Sequence, residues 1–438
     1  MSCFATPLNW RLFRGAPVLN VLLGILLAIP ALPIFAQAQD ALPPLTLQQA
    51  VSRTLERHPA LAVFEYRHQS LDGRAQTANL RPALNLDAEL ENFAGTDGTE
   101  NTEFTVGLSS VIELGGKRDA RGQVIVSERR LLNIDREIQA LDLLGEVTRR
   151  YVQVLSTTEQ VALAGDAVHL AEDAVASVRA RISAGAAPGV EQLRAEAALS
   201  RAQLQHRQLQ KQLQAERVAL AAMWGETRAD FSVPTGQLYR LQAVDDFSTY
   251  FARAQQNPLL MRYASEARVQ DAQLRLARTA ARADLGWGLG VRQSNETDST
   301  SLVAGVSLPL FSGRRAQGEI ARNRAALEGI ALREESARLQ LHTQLYRAYS
   351  DRAQAVHAVQ RLRADIIPTL ARAMSETEAL YRAGRYSYQE WVAAREELLD
   401  ARSALIQSAT RALLAEAEME QLTAEPLAPH NTLQASEK

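Results

Sequence analysis

The chain of 438 residues repeats itself once along its length, and this constrains its fold more than any other feature. Three motifs recur in the same order, and matched positions are 199, 197 and 199 residues apart. Chance matches would not keep a nearly constant offset, so the pattern predicts two tandem copies of one structural unit. The paired segments are HPAL at 58–61 with NPLL at 257–260, ELGGKR at 113–118 with LFSGRR at 310–315, and ISAGAAPGVEQLRAEAAL at 182–199 with YRAGRYSYQEWVAAREEL at 381–398.

Both copies have the same predicted plan: a short helix, a second helix, two strands, a very long helix, a glycine turn and a returning helix. The first copy occupies residues 39–225 and the second residues 246–424. The segment between them, 226–245, contains proline, glycine and polar residues and is predicted to be a linker. Residues 425–438 are predicted to form a loose C-terminal tail.

The very long helices, at about 116–182 and 315–382, are predicted to pack as coiled coils. In the first of them, β-branched apolar residues recur every seven positions over five intervals, which is the spacing of a coiled-coil core. A rod of about 67 residues would be roughly 100 Å long, far more than a compact domain needs. A cytoskeletal type of coiled coil is the alternative, and the paired strands argue against it. The recurring residues are Val147, Val154, Val161, Val168, Val175 and Ile182.

Four segments alternate apolar and polar side chains with a period of two, as a β-strand with one apolar face does. They lie at about 83–92, 102–114, 284–293 and 300–311. A transmembrane strand needs about 9–11 such residues, whereas a soluble sheet packed on helices would show the same alternation. Four strands cannot close a barrel alone, so a membrane barrel would require two copies with eight strands or three with twelve. The residues predicted to face lipid are Leu84, Leu86, Leu90, Phe104, Val106, Leu108, Leu285, Trp287, Leu289, Val291, Leu302, Val306 and Leu308.

The N-terminus has the pattern of a secretory signal peptide over residues 1–38. Arg11 and Arg14 precede a long apolar stretch, and Ala36-Gln37-Ala38 forms a small-x-small cleavage site. An uncleaved anchor is the alternative, because the apolar stretch is long enough to span a bilayer. The single cysteine, Cys3, lies within this segment, so the mature chain would have no disulfide and no thiolate metal site.

The rest of the sequence predicts neither an enzyme nor a cofactor-binding protein. The net charge of −2 gives no indication of a nucleic-acid partner. The seven histidines form no close pair at helical spacing, and a zinc site needs three or four clustered ligands, so no metal site is predicted. Phosphate-loop, G-x-S-x-G and H-E-x-x-H motifs are all missing from the sequence, and we expect no catalytic constellation.

The mature chain resembles the TolC-like outer-membrane efflux factors, through its tandem repeat, its two strand pairs, its glycine turns and its HPAL motif. The ELGGKR motif resembles the branch that serves heavy-metal pumps of the cobalt–zinc–cadmium type. The resemblance implies a mainly α-helical homotrimer with a membrane β part: four strands per subunit in a twelve-stranded barrel, above a coiled-coil α-barrel.

The resemblance also implies a location and a function. The trimer would lie among the lipids of the outer membrane of a Gram-negative bacterium, with a long periplasmic extension. It would act as the passive exit duct for heavy-metal cations, with a periplasmic membrane-fusion adaptor and an inner-membrane pump of the RND type as partners. A drug-efflux or type I secretion duct is the alternative within this fold, and a soluble periplasmic coiled-coil scaffold is the alternative from another class.

In such proteins the periplasmic helical turns dock the adaptor and surround an aperture. The matching turns are Ala184-Gly185-Ala186 and Ala383-Gly384-Arg385, and Glu191 and Glu390 each follow a tip glycine by six residues. Three subunits would place six carboxylates at the aperture. The alternative is ordinary negative charge at helix starts, which the helix dipole favours. Tyr381 would belong to polar links that hold the closed state, or would be a simple surface tyrosine.

Overall fold

The structure, a computed structural model, describes residues 44–93, 100–232, 234 and 236–425. The predicted signal peptide at 1–38 lies outside these residues, and so does the predicted tail after Glu425. The described part is mostly helical and contains one four-stranded antiparallel sheet, which agrees with the predicted fold class.

Both halves of the described chain contain two helices, two strands, a long helix and a returning helix in the same order. The first half comprises α1 (Leu47–Arg57), α2 (Pro59–Ala78), β1 (Asn85–Glu91), β2 (Glu103–Ile112), α3 (Lys117–Ser183) and α4 (Gly189–Ala221). The second half comprises α5 (Phe247–Ala254), α6 (Pro258–Ala280), β3 (Leu285–Ser294), β4 (Ser299–Ser307), α7 (Ser312–Arg361), α8 (Ile367–Arg382) and α9 (Tyr388–Thr423).

The repeated His-Pro and Asn-Pro motifs begin α2 and α6. The Nδ1 atom of His58 accepts a hydrogen bond from the N–H of Ala60 at 3.2 Å, and the Oδ1 atom of Asn257 accepts one from Leu259 at 2.8 Å. Each proline then occupies the first helical turn, where its missing N–H costs nothing. The motif is therefore a helix N-cap, used once in each half.

The four strands form one sheet in the order β1-β2-β3-β4, and the register gives it one apolar face. Residues directly opposite each other in antiparallel strands share a face. Leu86 lies opposite Leu108, which lies opposite Leu289, and Val106 lies opposite Val291. The residues between them on each strand, such as Asp87, lie on the other face, so alternation along each strand becomes one continuous apolar surface.

The predicted lipid-facing residues all lie on or beside this sheet, and most are exposed. Leu86 is 74% exposed and Leu289 is 60% exposed, whereas Leu285 and Trp287 are half-buried. Leu84 and Leu308 are exposed but lie one residue outside β1 and β4. Among the described residues, β1 and β4 each have a strand neighbour on one side alone.

The fourth strand ends four residues earlier than its alternation predicts. β4 stops at Ser307, and Pro309 follows, which has no N–H to donate to a neighbouring strand. Phe311 then has a φ of 62°, and α7 begins at the next residue. The apolar residues Leu308 and Leu310 therefore continue the alternating pattern in sequence but belong to the turn into the helix.

The second long helix also differs from its prediction, because it is not one continuous α-helix. A π-helical turn at Leu362–Ile366 separates α7 from α8. Pro368 lies in the first turn of α8 and cannot donate the hydrogen bond that an uninterrupted helix would require there. A local widening of the helix before this proline accommodates the missing donor.

The predicted coiled-coil core of α3 is partly buried within a single chain. α3 packs against α2, α4, α6 and α9. Val147 and Val154 are fully buried in the largest apolar cluster, whereas Val161 and Val168 are half-buried. Within one chain, α3 is therefore buried near Val154 and again near Val175, and the half-buried Val161 and Val168 lie between these two regions.

We expect Val154→Asp to destabilise the protein severely, because it would place an unpaired carboxylate in a site with 0% exposure. The expected loss is about 3–5 kcal/mol of unfolding free energy, comparable to breaking a buried ion pair. Thermal unfolding measures the effect. Asp166→Ala on the same helix is the control, since it removes an exposed ion pair with Arg402 at 3.4 Å, which is worth at most about 1 kcal/mol. Equal melting temperatures for the two variants would contradict this view of the core.

Candidate functional site at the hairpin tips

Both tip glycines end their helices in the left-handed conformation that the sequence predicts. Gly185 has a φ of 69° and Gly384 a φ of 75°. After Gly185, the N–H of Ala186 donates to the carbonyl of Arg181 at 2.8 Å, and after Gly384 the N–H of Arg385 donates to the carbonyl of Leu380 at 2.9 Å. These are Schellman closures, which satisfy the last carbonyls of α3 and α8 and reverse the chain.

The two hairpins meet at Tyr381, which is completely buried (0% exposed) rather than a surface residue. Its hydroxyl donates to Oε2 of Glu191 at 3.1 Å, and this hydrogen bond links the second hairpin to the first. Arg181 donates to the backbone carbonyls of Tyr381 and Ala186, both at 3.0 Å, and its guanidinium lies 4.3 Å from the tyrosine ring centre. The indole of Trp391 stacks on the tyrosine ring, with ring centres 4.8 Å apart.

We name Tyr381, Glu191, Arg181 and Trp391 the tip clamp. It joins α3 and α4 of one hairpin to α8 and α9 of the other through a hydrogen bond, a cation–π contact and stacked rings. Burial, together with the negative charge of Glu191, raises the pKa of Tyr381 to about 12. The phenol is therefore neutral at physiological pH and remains the hydrogen-bond donor to Glu191.

The two predicted aperture carboxylates have different surroundings. Glu191 is half-buried and bonded to Tyr381, whereas Glu390 forms a capping box with Ser387 at the start of α9. Its Oε2 accepts from the N–H of Ser387 at 2.8 Å, and this bond lowers the pKa of Glu390. Glu390 therefore caps the N-terminus of α9. It remains ionised in this position, so its negative charge is still available at the tip.

The remaining predicted tip residues are exposed and free of long-range polar side-chain contacts. Ala184, Ala186, Ala383 and Arg385 surround the two glycines. Sequence reasoning missed Arg181, Tyr388 and Trp391, which complete the buried contact. The spacing of Tyr388 and Trp391 three residues apart on one helix face was the available signal.

Potential metal ligands are scattered rather than clustered over the described ranges. No group of three or more His, Cys, Asp or Glu side chains that could hold a metal ion lies within them. None of the described helices is sufficiently long and apolar to cross a membrane.

Comparison with known proteins shows which family the first half of the chain matches. The model of the outer membrane efflux protein family matches residues 50–226, which include both strands of the first half and the first hairpin tip. This region, which is less than half of the chain, therefore matches the outer membrane efflux protein family. It contains the edge strand β1 as well as Arg181 and Glu191 of the tip clamp.

Two curated relatives are similar to this chain over most of their length. The cobalt-zinc-cadmium resistance protein CzcC of Cupriavidus metallidurans is 24% identical over 84% of this chain and 87% of its own. The nickel-cobalt-cadmium resistance protein NccC of Alcaligenes xylosoxydans xylosoxydans is also 24% identical, over 81% of this chain and 77% of its own.

The fold of this chain is shared with solved structures. The crystal structure of CusC, which was described in connection with transmembrane channel formation, superposes with a TM-score of 0.71 at 15% identity. The superposition covers 86% of this chain and 91% of CusC. The order of helices and strands is therefore the fold of a known transmembrane channel.

Proposed function

We propose that three copies of this chain form the outer-membrane exit duct of a tripartite efflux system. Each copy contributes four strands to a twelve-stranded barrel and its long helices to a periplasmic α-barrel. An inner-membrane pump of the RND type supplies substrate through a periplasmic adaptor, and the duct conducts passively without catalysis. This proposal rests on the four-stranded sheet, which has one apolar face and, within the described part of the chain, two edges without a strand partner.

The sheet edges make assembly necessary in a membrane. Every unpaired backbone N–H or C=O in hydrocarbon costs several kcal/mol, so β1 and β4 must find partners before the sheet is stable in lipid. Pairing β4 of one copy with β1 of the next closes a ring. Two copies would give eight strands, whose interior side chains fill the barrel, whereas three copies leave an open lumen. A conducting duct therefore favours the trimer.

The face opposite the apolar surface suits an aqueous lumen for cations. Arg292 on β3 pairs with Glu103 at 2.8 Å and Glu91 at 3.2 Å. Asp87 and Glu89 of β1 lie on the same face and are exposed. Carboxylates thus outnumber basic groups there, and a negatively charged passage concentrates cations.

Heavy-metal cations are the cargo that the relatives support. CzcC and NccC are both named as metal resistance proteins, and both names include cobalt and cadmium. A passive duct needs no fixed metal site, because tight binding would slow passage. The acidic lumen face is consistent with this cargo, whereas it would give no advantage for anionic substrates.

The hairpin tips, in this proposal, form the periplasmic aperture and the adaptor-docking surface. The exposed residues around Gly185 and Gly384 are available for docking, and the tip clamp holds the two hairpins of each subunit together. Docking of an adaptor beside the clamp could then bias the aperture between closed and open arrangements.

Fractionation and conductance test the exit-duct proposal directly. We expect the protein to stay with the outer membrane, to require detergent for extraction, to migrate as a trimer and to form pores in planar bilayers. A monomer in the soluble periplasmic fraction would overturn the duct and support the coiled-coil scaffold instead.

The aperture carboxylates should make the pore cation-selective at low salt. If three copies bring Glu191 and Glu390 to the aperture, Glu191→Gln with Glu390→Gln should lower the cation-to-anion permeability ratio severalfold while the trimer persists. The selectivity of the native protein should fade as salt shortens the Debye length to about 3 Å near 1 M. Glu137→Gln, on α3 far from the tips, is the matched control. An unchanged ratio in the double variant would leave Glu191 with its bond to Tyr381 and Glu390 with its helix cap, and neither with a role in selectivity.

A further inference from the structure

We propose that a basic belt at the helical end of the sheet binds the phosphate headgroups of anionic phospholipids in the adjoining membrane leaflet. The proposal rests on the membrane insertion of the sheet proposed above and adds a specific lipid to it. The belt consists of five exposed arginines at the four junctions between strand and helix: Arg81, Arg118, Arg282, Arg314 and Arg315.

Side-chain contacts hold the four junctions together at one end of the sheet. Asp284, before β3, accepts from the N–H of Leu114 at 3.0 Å and from Nζ of Lys117 at 2.7 Å, both after β2. Arg121 reaches back to the carbonyl of Leu80, before β1, at 3.4 Å. The hydroxyl of Ser312, after β4, donates to a carbonyl just before β3 at 2.8 Å. The belt arginines therefore lie on one rim of the sheet.

Two of the three carboxylates of this rim, Glu113 and Asp284, are already paired, and the belt arginines are not. Glu113 binds both Nη atoms of Arg121, at 2.5 and 2.9 Å, and this pairing lowers the pKa of Glu113. Asp284 is paired with Lys117. Among the described residues, none of the five belt arginines has a carboxylate within ion-pair distance. These unpaired charges are available to an external anion.

The local charge differs strongly from that of the whole chain. The four junction segments, 79–84, 113–121, 281–284 and 308–316, contain seven Lys or Arg and three Asp or Glu residues, a net charge of +4. The whole chain has a net charge of −2. Three copies would thus place about twelve positive charges around the barrel at this level, and a polybasic rim of this kind attracts anionic lipid.

The fold itself gains little from these arginines. Arg118 lies in the first turn of α3, and Arg314 and Arg315 lie in the first turn of α7. Positive charge at a helix N-terminus opposes the helix dipole, and the first turn of α7 has no acidic residue to offset it. An anion bound outside the helices would compensate both the dipole and the arginines.

Apolar neighbours identify the anion as a lipid rather than a soluble phosphate. Phe311 is 75% exposed beside Arg314, and Leu80 and Leu114 are exposed beside Arg81 and Lys117. The rim is continuous with the apolar face of the sheet, where Trp287 lies two residues after the start of β3. Aromatic and basic side chains together mark the level of lipid headgroups.

Trp287 provides a direct measurement of which lipid occupies this rim. The mature chain, without the predicted signal peptide and its Trp10, is reconstituted with phosphatidylglycerol or phosphatidylcholine carrying brominated acyl chains, which quench tryptophan on contact. Trp224 and Trp391 are buried and insensitive, and a Trp287→Phe variant defines the background. We expect the native protein to prefer phosphatidylglycerol about fivefold or more, since one basic side chain near an anionic surface is worth about that factor.

The decisive comparison is between two triple variants. Arg118→Gln, Arg314→Gln and Arg315→Gln together should reduce the preference to below about twofold. Arg130→Gln, Arg324→Gln and Arg347→Gln, which remove exposed arginines farther along α3 and α7, should leave it at the native value. Equal preference in the two triple variants would overturn the belt. If the first triple variant does not assemble, two other measurements replace it: the lipid preference of the single variant Arg315→Gln, and the lipid preference of the native protein at rising salt concentration. If the preference for phosphatidylglycerol falls in neither measurement, the proposal is refuted.

Two further arms distinguish a bound lipid headgroup from a soluble anion and from membrane contact without headgroup binding. Inorganic phosphate, at an ionic strength matched with chloride, should not abolish the preference; if it does, the arginines form a general anion site and the headgroup assignment is wrong. Quenching of Trp287 by both lipids without preference would refute headgroup binding by the belt arginines but would still support membrane insertion of the sheet. Absence of quenching by either lipid would instead refute the insertion on which the proposed function depends.

Discussion

Arginine at Leu86 or Leu289 should abolish assembly of the membrane sheet, whereas arginine at Asp87 should be tolerated. Leu86 and Leu289 lie in one row of the apolar face, and Asp87 is on the opposite face. A charge at the bilayer midplane costs about 2–4 kcal/mol on the lipid side of a barrel and much less on the lumen side. In a trimer the cost is incurred three times, about 6–12 kcal/mol, which approaches the whole stability of a typical domain.

Heat-modified gel electrophoresis and outer-membrane fractionation measure this effect. We expect the Leu86→Arg and Leu289→Arg proteins to be degraded or recovered as unassembled chains, with Asp87→Arg giving near-native trimer. All three variants introduce the same arginine side chain, and Leu86 and Asp87 are adjacent on one strand. The comparison therefore isolates the effect of the sheet face on which the arginine is placed. Similar trimer yields from Leu86→Arg and Asp87→Arg would show that the apolar face does not contact lipid.

The strands and their faces were predictable because the information is local. Alternation with a period of two fixes which side chains share a face, and the observed register joins those faces into one surface. The helix entries were equally local, since His58 and Asn257 bond to N–H groups two residues away. The exceptions had local causes too, namely Pro309 at the end of β4 and Pro368 at the π-helical turn, and both signals are visible in sequence.

The tip clamp could not be predicted in this way because its partners are distant in sequence. Tyr381 and Glu191 are 190 residues apart, and Arg181 is 200 residues from Tyr381, whose carbonyl it also binds. Periodicity indicates that a helix has an apolar face, but it does not indicate which hairpin that face meets. A tyrosine next to a surface turn therefore looked equally compatible with solvent, and its complete burial follows only from the packing of one hairpin on the other.

The tip clamp should govern the conductance of the pore, and Tyr381→Phe should shift the pore toward open states. The substitution keeps the ring in contact with Arg181 and Trp391 but removes the hydroxyl that bonds to Glu191. A hydrogen bond to a charged group contributes about 1.5–3 kcal/mol. If the closed arrangement alone makes this bond, its loss shifts the equilibrium between closed and open by about 10- to 100-fold per subunit.

Single-channel recording of purified trimers measures that shift as a rise in open probability. Tyr386→Phe is the matched control, because it makes the same chemical change at a tyrosine that is partly exposed beside the same tip and outside the clamp. Arg181→Gln should reproduce the effect of Tyr381→Phe, since it removes the cation–π contact and the link to the Tyr381 carbonyl. Native conductance in both clamp variants would restrict the clamp to a structural role within each subunit.

The raised pKa of Tyr381 adds a test based on pH. The pKa is about 12 in the folded tip against an ordinary value of 10.0, so the neutral phenol is the form that the folded clamp favours. Its contribution is fully present below about pH 10 and is lost as the pH rises through about 12, when a phenolate would face Glu191. Open probability of the native pore should therefore increase across that interval. Tyr381→Phe should lack this alkaline component, and an identical rise in both proteins would assign the transition to other groups.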